Sequence, residues 1–146
     1  MPVIRIENYQ AIHINRRDGN PHDTDEEVYA YWRFTVRAAM ARAGIEAGLA
    51  GITKRRHMTI VFGERFVDEE VDGDVNPEMA VIIIEGLFAR SDRTVEDRRR
   101  FAATIGLALR KYLPRGWEVE VIPSSYDAVS EGFISIAPDG TASPAA

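Results

Sequence analysis

The chain runs twice through one order of elements: strand, helix, strand. That order restricts its fold more than any other feature. Residues 3–7 alternate apolar and polar and read as a strand. Thr24 opens a helix, with Glu27 at the capping-box position. Val28, Trp32, Val36, Ala39, Met40 and Ala43 follow at helical spacing, and Gly44 is the expected stop. A second strand is expected from about Arg56 to Phe62. The pattern then repeats. Ala80–Ile84 reads as a strand, and Thr94 opens a helix with Asp97 at the box position. Phe101, Ile105, Leu109 and Leu113 form its inner stripe, Pro114 and Gly116 end it, and Trp117–Ile122 is the fourth strand. The two helix starts lie 70 residues apart. Parallel crossovers are right-handed. The predicted fold is therefore α+β: two βαβ units forming a four-stranded sheet with both helices on one face. One domain over residues 2–136 and a flexible C-terminal tail over 137–146 are expected.

That arrangement leaves one sheet face bare. The strand Ala80–Ile84 is apolar at every position, so both of its faces call for burial. No third long helix is present in the pattern to cover the second face. A further copy of the same chain is the simplest cover, so a homo-oligomer is expected. Between the halves, Glu64, Asp68, Glu69, Glu70, Asp72, Asp74 and Glu78 form an acidic stretch broken by Gly73 and Pro77. It reads as a solvated loop, and its spacing matches no EF-hand loop.

Composition removes several function classes. There are no cysteines, which excludes disulfides, thiolate catalysis and Cys-based zinc sites. The net charge of −5 argues against general nucleic-acid binding, which needs clustered positive charge. The longest apolar run, Met79–Ile84, is far shorter than the roughly 20 residues that span a bilayer. No membrane association is expected, and a cytoplasmic location is the default.

Pro2 is the first candidate for chemistry. Initiator methionine is usually removed before a small residue. The mature chain would then begin with a secondary amine at the head of a core strand. Apolar surroundings and nearby cations lower an amine's pKa, which suits a general base near neutral pH. Arg90, Arg93, Arg98, Arg99 and Arg100 crowd the start of the second helix. Arg93 directly precedes Thr94, where its charge adds to the positive end of the helix. Planar guanidinium suits a carboxylate. Arg93 is expected at a pocket rim. Lys54, Arg55 and Arg56 form a second basic group; strand alternation would send Arg55 and His57 to one face and Arg56 to the other. His13, His22 and His57 are scattered and suggest no metal site, and His57 reads as a strand-edge residue. Ser124 and Ser125 lack a glycine elbow, and no Gly-rich phosphate loop is present.

Pro2 ahead of a strand, two βαβ halves and cations at the second helix together resemble the tautomerase superfamily. Gly44-Ile45 through Leu49-Ala50-Gly51-Ile52, and Asp92-Arg93-Thr94-Val95-Glu96-Asp97-Arg98, are similar to segments of its 5-(carboxymethyl)-2-hydroxymuconate isomerase branch. The resemblance implies a cofactor-independent isomerase of aromatic catabolism, a homotrimer with Pro2 as general base. Its substrate would be a small carboxylate, a 2-hydroxydienoate or 2-oxo acid. Arg93 matches a carboxylate-holding arginine; Arg90 is a neighbouring candidate. The branch's second arginine is replaced here by Thr53, leaving Lys54 and Arg55 as the candidates beside it. The loop at residues 8–23 is longer than in that branch. Two other readings stay open. One is a superfamily dehalogenase or decarboxylase using Glu7 or Glu120 to activate water. The other is a non-catalytic ferredoxin-like oligomeric module.

Overall fold

A computed structural model describes residues 2–7, 25–63, 79–88, 90–113, 116–126 and 134–144. Strand β1 (Val3–Glu7) leads to helix α1 (Asp25–Glu46) and strand β2 (Thr59–Phe62). Strand β3 (Met79–Phe88), helix α2 (Val95–Arg110) and strand β4 (Glu118–Tyr126) repeat the order. The sheet runs β2-β1-β3-β4. Pairs β1–β2 and β3–β4 are parallel, and the two units meet through the antiparallel pair β1–β3. This is the predicted four-stranded sheet of two βαβ units.

Alternation sorts the faces. Ile4, Ile6, Ile60, Ala80, Ile82 and Ile84 are buried, as are Trp32, Val36 and Met40 of α1 and Phe101, Ile105 and Leu109 of α2. These residues form one core cluster. Burying each large side chain contributes roughly 1.5–3 kcal/mol. The indole of Trp32 donates to the Tyr112 carbonyl at 3.1 Å and ties α1 to the end of α2. On the opposite sheet face, Val81 and Ile83 are half-buried within the single chain, and Ile122 is 51% exposed. No helix among the described residues is long and apolar enough to cross a membrane.

Thr94 caps α2 as its sequence predicts. Its hydroxyl accepts from the Asp97 amide at 3.1 Å, and the Asp97 carboxylate accepts from the Thr94 amide at 3.0 Å. The Thr94 amide and hydroxyl, and then Arg100, hold the Asp97 carboxyl below its ordinary range. Thr24 lies outside the described residues, so the corresponding cap of α1 does too.

Four boundaries differ from expectation. Helix α1 continues through Gly44 to Glu46, and Gly48 ends it with a φ of 70°, a left-handed turn that glycine adopts without strain. Gly44 serves packing instead: a Cβ there would approach Met58 Sδ to 2.6 Å. Arg55–His57 is not strand but one 3-10 turn, closed by His57 N donating to Lys54 O at 2.9 Å and Met58 N to Arg55 O at 3.1 Å. Strand alternation therefore does not apply to Arg55, Arg56 and His57. Strands β3 and β4 run past the expected ends at Ile84 and Ile122, through a register irregularity between Ile84 and Leu87. Finally, the tail expected to be flexible carries strand β6 (Ala142–Pro144), paired antiparallel with β5 (Ile134–Ile136).

Candidate active site

Topology brings three segments to the head of β1. Strand β2 runs parallel to β1, and the Thr59 amide donates to the Pro2 carbonyl at 3.0 Å. The start of β2 therefore lies beside Pro2. Strand β3 runs antiparallel, with Glu85 opposite Val3, so the end of β3 lies on the other side of Pro2. The turn after β3 leads into the N-terminus of α2. A cavity of about 270 Å³ opens where these segments meet. Pro2, Gly51, Ile52, Arg56, His57, Gly86, Arg90 and Arg93 line it.

Each wall has a local cause. Leu49 and Ile52 are 1% exposed and anchor the loop after α1 in the core. Gly51 between them has a φ of 84°. A Cβ at this position would overlap Arg90 Nη1 and lie 2.8 Å from Arg93 Nη2. The missing side chain is what lets both guanidinium groups converge there. Arg90 is also held by Asp92, through Nε to Oδ1 at 2.8 Å and Nη2 to Oδ2 at 2.6 Å. Arg93 is 8% exposed, a buried wall rather than the expected rim residue. Its Nε donates to the Ala50 carbonyl at 2.8 Å, and its amide to the Arg90 carbonyl at 3.1 Å. Burial and the neighbouring Arg90 cation lower the Arg93 guanidinium pKa, and Asp92 partly restores it. Cations held this close favour an anion between them.

Three arginines line the cavity, and no described lining residue is a carboxylate. A cluster of positive charge thus sits in a chain of net charge −5. Of the residues singled out in the sequence, Pro2, Arg90 and Arg93 meet here. Lys54 and Arg55 are exposed and absent from the lining; Arg56 and His57 stand there instead. Glu7 ends β1, roughly 16 Å along the strand from Pro2 at about 3.3 Å per residue. Glu120 is exposed on β4 opposite Val81. His13 and His22 lie outside the described residues. Sequence reasoning named Arg56 in the second basic group and read His57 as a strand-edge residue without assigning either to the site, and it passed over Gly86. Parallel pairing of β1 with β2 was the usable signal, because it puts the residues before each strand side by side.

Solved structures share the fold. A fused 4-OT, described as a wild-type asymmetric trimer, superposes with a TM-score of 0.57 at 12% identity, covering 95% of this chain and 94% of that one. N1, a member of the cis-3-chloroacrylic acid dehalogenase family, gives 0.56 at 14% identity over 97% and 83% of the two chains. Macrophage migration inhibitory factor of Toxoplasma gondii gives 0.50 at 10% identity over 88% and 92%. This is the tautomerase fold. At these identities the likeness is one of architecture. No protein-family model matches the sequence, and no curated protein does. Within the tautomerase fold, the cavity of this chain sits where its first strand begins.

Proposed function

We propose that the chain is a cofactor-independent tautomerase acting on a 2-hydroxydienoate or 2-oxo acid. The observation that carries this reading is the meeting of Pro2 with Arg90 and Arg93 around one cavity. The arginines bind the substrate carboxylate and lower the cost of charge developing on the adjacent enolate. Removal of Met1 makes Pro2 a free secondary amine. Neutral, it takes a proton from a hydroxyl or from carbon α or γ to the carbonyl, and returns it to another position. The proton leaves and re-enters the substrate, so no redox group or co-substrate is consumed. Dehalogenation and decarboxylation by activated water need an acidic group beside the amine. The described cavity residues supply none, and Glu7 and Glu120 are placed elsewhere. Tautomerisation of phenylenolpyruvate or 2-hydroxymuconate by the matured protein tests the proposal. Turnover should rise with pH as Pro2 loses its proton. A matured, folded protein inactive on both substrates would overturn the reading.

A homotrimer is part of the same proposal. Half-buried Val81 and Ile83 and exposed Ile122 leave an apolar strip on the sheet face away from the helices. The fused 4-OT relatives in this fold are described as trimers. Sedimentation at micromolar concentration should give a trimer, and a stable monomer there would contradict it.

A further inference from the structure

We infer that His57 is a second substrate-binding group, donating from Nε2–H to the 2-oxo or enol oxygen next to the carboxylate. This deepens the proposed reading of the cavity as a 2-oxo acid site and rests on it. The Thr53 amide lies 3.2 Å from His57 Nδ1 in hydrogen-bonding geometry. An amide N–H only donates, so Nδ1 is the acceptor. The neutral ring then carries its proton on Nε2. The Thr53 hydroxyl lies 3.5 Å from the same Nδ1, and the 3-10 turn fixes the His57 backbone through Lys54 O. The loop therefore holds an imidazole of one tautomer in the cavity lining, and the Thr53 contacts at Nδ1 leave the Nε2–H donor unused.

The wall chemistry divides accordingly. Guanidinium groups match a carboxylate, which takes two parallel hydrogen bonds. A ketone oxygen beside that carboxylate needs a separate donor. A neutral donor held in place is strengthened as negative charge builds on that oxygen. His57 is the described neutral side chain in the cavity with an N–H to give.

Two substitutions separate this contact from a structural role. In His57→Asn, Oδ1 takes the place of Nδ1 and keeps the bond from the Thr53 amide, but nothing reaches the Nε2 position. In His57→Gln, an amide N–H comes near the Nε2 position while the Nδ1 acceptor is lost. The probes are phenylpyruvate and 3-phenylpropanoate, carboxylates that differ in the 2-oxo oxygen, titrated calorimetrically. The intact protein should bind phenylpyruvate about tenfold more tightly, the scale of one hydrogen bond. His57→Asn should erase that preference and His57→Gln should retain most of it. No preference in the intact protein, no binding of either probe, an undiminished preference in His57→Asn, or its loss in His57→Gln would each overturn the inference. A preference lost in His57→Asn without any turnover would uphold the contact and remove the tautomerase reading. Turnover without a preference would remove His57 alone.

Discussion

One residue inserted between Met1 and Pro2 should reduce tautomerisation by roughly 10²- to 10⁴-fold, the usual worth of a positioned general base. An inserted alanine still permits removal of Met1, but it turns the Pro2 nitrogen into an amide, which is not basic. The new terminal amine stands about 3.8 Å of chain further out, too far to take over the same position. The fold should survive, because β2 is registered on β1 through the Pro2 carbonyl, 3.0 Å from the Thr59 amide, and that carbonyl is untouched. The checks are initial rates with phenylenolpyruvate, a mass measurement of the N-terminus, and circular dichroism. An extended protein that folds and retains full activity would end the enzymatic reading.

Replacing Arg93 should have the next largest effect. Arg93→Ala should lower kcat/KM for 2-oxo or 2-hydroxydienoate acids by about 10- to 100-fold, the loss of one charge-assisted contact worth roughly 1.5–3 kcal/mol. The side chain also donates to the Ala50 carbonyl at 2.8 Å and is 8% exposed, so some stability should go with it. Arg93→Lys separates the two losses. It keeps the charge and gives up the planar fork, and should fall between the alanine variant and the intact protein. Unchanged kinetics in Arg93→Ala with several substrates of this class would remove Arg93 from the site.

What could be read in the sequence was whatever repeats or caps. Alternation in residues 3–7, the stripe Phe101, Ile105 and Leu109, and the Thr94–Asp97 pair each report a local periodic rule. Together with crossover handedness they lead to the sheet and its two helices. Arg93 was visible because it adjoins a recognisable helix start. The 3-10 turn at Arg55–His57 was not, because three residues carry no period. Three adjacent basic residues ahead of an apolar run look like the start of a strand. The resemblance made Lys54 and Arg55 candidates, and the strand reading kept Arg56 and His57 from being placed together in the site. Gly44 misled for a different reason. Tight packing against Met58 and Ile105 asks for a small residue there, while the backbone stays helical. Strand β6 escaped because Ala142–Pro144 is exposed along its length and has no buried face to leave a pattern.

Strand β1 precedes both of its partners in the chain, yet it occupies the inside of the sheet, between β2 and β3. Its parallel partner begins at Thr59, and its antiparallel partner reaches Glu85. A nascent chain therefore carries an alternating strand with both edges unpaired until β2 has been made, and with one edge unpaired until β3 has. Pairings so distant along the chain close slowly, because loop entropy is lost before contacts repay it. The cavity has no floor until those pairings form, since Pro2 at the head of β1 and Gly86 at the bulge of β3 meet only then. Strand β1, made ahead of its partners, thus waits for its working surroundings, and folding speed depends on how well the chain shields that early strand from other waiting strands.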